Sequence, residues 1–201
     1  MIFAAQICGY IGIGLFITVA VFFQKLNQNE EYGLLHLLMA LMYAIWLPIP
    51  IAIYKITENE LLIIGSVFGI VYLSMLVITM MIQTGHLVHS VKEGRKSASW
   101  EERDTWMFAA FGGPYEVYAN VLKGIWALFL AITFWQSGEL LMGSLMSLFS
   151  LLNIYYILLL VKTSMVKPIT YLAKIKANPY FFNLETIAFF IVLVVYISIN
   201  I

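Results

Sequence analysis

Residues 61–82 read LLIIGSVFGIVYLSMLVITMMI, a run of 22 residues without one charged side chain. A helix needs about 20 predominantly apolar residues to cross the roughly 30 Å of hydrocarbon in a bilayer. The run is apolar on every side, with no alternation of apolar and polar positions, so it reads as a spanning helix and not as a barrel strand. Five further stretches qualify by the same standard: 2–23, 34–54, 115–135, 140–161 and 180–201. The last is the weakest, because Asn183 and Glu185 lie in its first turns. The expected fold is an all-α polytopic bundle of about six spans, forming one domain over 1–201.

Composition agrees. The chain is 62% hydrophobic and 11% charged, whereas soluble domains are roughly half apolar and about a quarter charged. A water-soluble fold of this size would have to expose much of that apolar surface. Net charge is zero, and no nucleic acid partner is expected. The single cysteine, Cys8, excludes an internal disulfide and CxxC chemistry, and it reads as a small packing residue. The N-terminal residues lack the basic stretch of a cleavable signal, so the first run is expected to be retained.

Basic residues give the direction. The first, third and fifth connections hold nine Lys or Arg, and the second and fourth hold one, Lys55. The odd loops are therefore expected on the cytoplasmic side, with both termini opposite. Small size and abundant Ile, Lys and Asn point to a bacterial cell membrane. Two of the basic loops are long enough to carry interfacial helices. In the third, Ser99 and Glu102 fit a capping box that would start a helix over 100–111. Gly112 and Gly113 would end it, and Pro114 would open the fourth span. Trp100, Trp106, Met107 and Phe111 would seat it among the headgroups. In the fifth, Pro168 would open a segment over 169–177, whose Lys174 and Lys176 suit anionic lipid.

Small residues at four-residue spacing mark close helix contacts: Gly65 with Gly69, Gly143 with Ser147, Ala5 with Gly9, and Cys8 with Gly12. They fit packing within the bundle or between copies in a homo-oligomer. Pro48 and Pro50 predict a kink in the second span. No repeat relates the two halves: the fifth span lacks proline and the sixth lacks glycine.

Ionisable groups within a membrane are functional candidates. Glu116, Asn120 and Lys123 follow at i, i+4 and i+7, one face of the fourth span. That face either points into the bundle or lets Lys123 snorkel back to the headgroups. His36, His86, His89 and Glu185 all fall at the basic end. Were the third helix to continue past Gly85, His86, His89 and Glu93 would share a face suited to a metal such as zinc. All three histidines lie at one level, which disfavours a haem relay, and no cofactor is expected. Ser144, Ser147, Ser150 and Asn153 spiral around the fifth span, either as interhelical hydrogen-bond formers or as a polar lining. No GxSxG, HExxH, P-loop or GxGxxG motif occurs. Three functional classes stay open: a small permease, channel or transport subunit; an accessory, assembly or immunity protein acting through a partner; and a membrane enzyme working at the cytoplasmic leaflet.

Overall fold

The computed structural model describes residues 1–94 and 99–201 and is helical throughout, with no strand among the described residues. Six of its helices are long and apolar enough to span a membrane. The first is α1 (Ile2–Gln28). The second is a broken pair, α2 (Tyr32–Trp46) and α3 (Pro48–Thr57), and the third is α4 (Leu61–Gly94). The fourth joins α5 (Ser99–Met107) to α6 (Glu116–Gln136). The fifth is again a pair, α7 (Leu140–Leu151) and α8 (Asn153–Thr163). After the single turn α9 (Thr170–Ala173) comes the sixth, α10 (Pro179–Ile199).

The break at Leu47 is the predicted kink. Pro48 has no N–H to donate and its ring crowds the preceding turn, so the helix stops and restarts one residue later. The fifth span carries a similar interruption at Leu152 with no proline to cause it.

The fourth span departs from expectation. Gly112-Gly113 does not end the preceding helix. The chain runs from α5 through a π-helical stretch, Phe108–Tyr115, directly into α6. Glycine stops a helix when it turns left-handed, and among the described glycines only Gly138 has positive φ. Pro114 sits inside the stretch. The wider i→i+5 turn accommodates a residue that can neither donate nor tolerate a close carbonyl four residues back. Met107, expected among the headgroups, is 1% exposed and packs into the bundle, whereas Trp106 is 67% exposed. The Ser99–Glu102 capping box and the Trp100 anchor rest on side chains outside the described residues. In the fifth loop only Thr170–Ala173 is helical, shorter than the 169–177 segment expected.

The small residues mark contacts within the chain. A methyl group on Gly69 would fall 2.7 Å from the Trp126 ring, and one on Gly65 would fall 2.6 Å from Phe129, so α4 lies against α6 at its glycines. Gly9 meets Val194 and Gly12 meets Trp46 in the same way. At the centre, Trp46 stacks on Phe190 with centroids 3.9 Å apart and donates its Nε1–H to the Gly9 carbonyl at 3.2 Å. Burial is uneven. In the most apolar window of each span, 72% of the fourth is buried, against 11% of α1 and 17% of the fifth. The fourth span is the hub, and its Asn120, Lys123 and Thr133 side chains face protein.

Candidate functional site

Lys123 lies on α6, seven residues and so about 10 Å along the axis from Glu116. It is 1% exposed. Its Nζ donates to Glu185 Oε2 on α10 and to Thr186 Oγ1 at 2.9 Å. Tyr156 of α8 donates its hydroxyl to the same Glu185 oxygen at 3.0 Å. The Tyr72 and Tyr156 ring centroids each lie 5.6 Å from the Lys123 nitrogen. An isolated charge in this interior would cost several kcal/mol. The carboxylate, the hydroxyls and the two ring faces offset that cost together. Lys123 therefore does not snorkel: its ammonium ends in the bundle, tying α6, α8 and α10 together.

A chamber of about 450 Å³, mostly apolar but with one polar wall, adjoins this pair. Its polar wall is formed by His36, Tyr43, Gln83, Glu116, Asn120, Asn183 and Thr186, with Gly112 and Gly113 of the π-helical stretch beside them. Gln83 Nε2 donates to Glu116 Oε1 at 3.1 Å. Asn120 Nδ2 donates to the Glu116 carbonyl at 3.0 Å, one turn back, and Asn120 Oδ1 is buried with no hydrogen-bond partner. His36 Nδ1 lies 2.7 Å from the Tyr32 carbonyl. A carbonyl only accepts, so Nδ1 carries the hydrogen, and in the neutral ring Nε2 is left as the acceptor. Thr186 belongs both to the chamber wall and to the Lys123 hydrogen-bond set, so one residue links chamber and ion pair.

A second cavity, about 520 Å³, lies between α1, α2 and α10. It is lined by Phe16, Val19, Ala20, Met42 and Leu184 among others, and its rim residues Tyr180 and Leu184 are 79% and 67% exposed. Phe23, Leu35, Met39, Pro179 and Asn183 line both cavities. An apolar groove thus abuts a second open cavity with more polar groups on its wall.

The sequence candidates divide accordingly. His36, Glu116 and Asn120 share the chamber, while Lys123 and Glu185 form the pair behind it. His86 and His89 do not line it. The helix α4 does continue past Gly85, as the metal reading required, but His86 Nε2 lies 2.7 Å from Asp104 Oδ1. Ser90 donates to Asp104 Oδ2 at 2.7 Å. This cluster fastens α4 to α5. Among the described residues no three His, Cys, Asp or Glu side chains are placed to hold a metal ion. The serines of the fifth span line neither cavity: Ser144 and Ser147 donate back to Leu140 and Gly143 of their own helix, and Ser147 also accepts from Trp135 Nε1 of α6 at 3.1 Å. Lys174 and Lys176 are exposed at the same end of the bundle.

Gln83, Tyr72, Tyr156 and Thr186 are absent from the sequence candidates. Gln83 and Thr186 had a usable signal, since both are polar residues within one turn of a membrane span's charged or basic group. The tyrosines had none, because an aromatic residue in an apolar helix is ordinarily core. Compared with known proteins, the chain matches no family model, no curated protein and no solved structure.

Proposed function

We propose that this chain is a membrane-embedded binding protein for an amphiphile of the cytoplasmic leaflet. The carrying observation is the junction of two unlike cavities. The flank groove accepts an apolar chain directly from the lipid, and the chamber accepts the head attached to it. The wall shared through Phe23, Leu35, Met39, Pro179 and Asn183 allows one molecule to occupy both. Apolar volume with a few convergent polar groups is the usual form of a small-molecule site. The nine basic residues of the odd loops assign the chamber end to the cytoplasm by the positive-inside bias, and Lys174 and Lys176 would hold that end against anionic headgroups.

Two other readings fit less of the geometry. A permease needs a polar route onward, and the fifth-span serines that would have supplied it line neither cavity. An accessory protein needs no chamber at all. The binding reading is tested by photolabelling. A C12 alcohol carrying a diazirine in its chain is added to the protein in phosphatidylcholine nanodiscs, and labelled peptides are mapped by mass spectrometry. Saturable labelling confined to α1, α2 and α10 near the groove, competed by unlabelled dodecanol, is expected. Met39→Trp, which fills the shared wall, should abolish it. Uniform, uncompeted labelling of every lipid-facing helix would refute the reading.

A further inference from the structure

We infer that the head bound in the chamber is a protonated primary amine, so that the ligand is a cationic amphiphile with a single apolar chain. The inference rests on the binding reading above and deepens it.

The chamber wall holds one carboxylate, Glu116, and neither lysine nor arginine. The nearest ammonium, that of Lys123, is already engaged by Glu185, Thr186 and the rings of Tyr72 and Tyr156. Among the described residues Gln83 is the one side-chain donor to Glu116. A carboxylate has about four lone-pair positions, so acceptor capacity is left over. Asn120 adds to it. Its residue is 6% exposed, its Oδ1 has no partner, and its Nδ2 is turned to the Glu116 carbonyl. Buried acceptors without donors are uncommon because each forfeits its desolvation. The acceptors left open on this wall are the Glu116 carboxylate, Asn120 Oδ1 and, in the neutral ring, His36 Nε2; Tyr43 and Asn183 bring donors to the same wall, but neither bonds Glu116 or Asn120.

An ammonium supplies what is missing, three donors and one positive charge. A carboxylate or phosphate head would bring further acceptors and place like charge beside Glu116. A neutral hydroxyl would satisfy one acceptor and leave the charge of Glu116 unmatched. A small free amine would satisfy the chamber but forgo the apolar groove, so the apolar chain is part of the ligand.

The experiment extends the photolabelling to competition of the labelled site by dodecylamine, dodecanol, dodecanoate and butylamine at neutral pH. Dodecylamine should compete about thirtyfold more strongly than dodecanol, the lower end of what a buried, hydrogen-bonded charge pair is worth. Dodecanoate should be the weakest of the C12 series, and butylamine far weaker than dodecylamine. Glu116→Gln should erase the amine preference while dodecanol still competes, and Glu116→Asp should keep part of it. Equal competition by the three C12 heads would overturn the inference and leave the binding reading intact. Equal competition by butylamine would overturn the requirement for a chain. An amine preference that survives in Glu116→Gln would overturn the role of Glu116. Absence of any saturable site would overturn both readings. The head series on the unmodified protein decides the matter even if the Glu116 variants do not fold.

Discussion

Removing the Lys123 ammonium would strand Glu185, which is 6% exposed, with Tyr156 as its remaining donor. Breaking one side of a buried pair typically costs about 3–5 kcal/mol, whereas replacing both members by apolar residues is often neutral or better. Lys123→Met should therefore lower the melting temperature in detergent sharply, and Lys123→Met with Glu185→Leu should recover most of the loss. A double variant less stable than either single one would show that the pair is not acting as a unit. Both residues were conspicuous in the sequence as charges in or beside apolar runs. Their pairing was not. Sixty-two residues separate them, and only the rotation of α6 and α10 about their own axes brings them together. Glu116 and Asn120 were legible as neighbours because four-residue spacing fixes a shared face within one helix.

Each helix contact depends on what its glycines permit. Gly69 brings α4 onto the Trp126 ring, and an added methyl at 2.7 Å has no room beside a ring that is fully buried. Gly69→Ala should destabilise by about 1–3 kcal/mol through overpacking. Gly85 lies in the same helix with nothing within 4 Å of an added methyl, so Gly85→Ala should stabilise by about 0.5–1 kcal/mol through helix propensity. Thermal melts of the two variants in one detergent should shift in opposite directions; a shared direction would contradict the packing described for α4. The spans themselves were readable because an uncharged run of 22 residues admits few other fates. The passage from α5 into α6 was not readable. Gly-Gly-Pro is the usual wording of a stop, and local rules do not foresee a π-helical stretch that absorbs the proline.

At the level of the molecule, the two ends of the bundle differ in kind. One carries the basic loops, the chamber and the α4–α5 clasp. The other carries short connections, with Tyr196 donating to Glu139 at 2.9 Å and Asn59 to Gln136 at 3.3 Å. Orientation can be read with single cysteines in a Cys8→Ala background. A cysteine at Ser137 should react with a membrane-impermeant maleimide on intact cells, and one at Lys174 only after lysis. The reverse pattern would invert the assignment of the chamber to the cytoplasmic leaflet.

The seat of α1 has a consequence for the order in which the protein is assembled. Its buried residues are Ala5, Gly9 and Gly12. Gly12 rests on Trp46 of α2, Gly9 rests on Val194 of α10, and Tyr10 and Ser198 share a hydrogen bond of 2.9 Å, so α1 is seated on an early helix and on a late one. During synthesis α1 can pair with α2 as soon as that helix follows it, but the side of α1 that meets α10 stays uncovered until α10 is delivered. Only then does the groove that α1 and α2 begin acquire its third wall. A ribosome paused before α10 would leave a nascent chain whose early helices are inserted but whose groove is still open on one side.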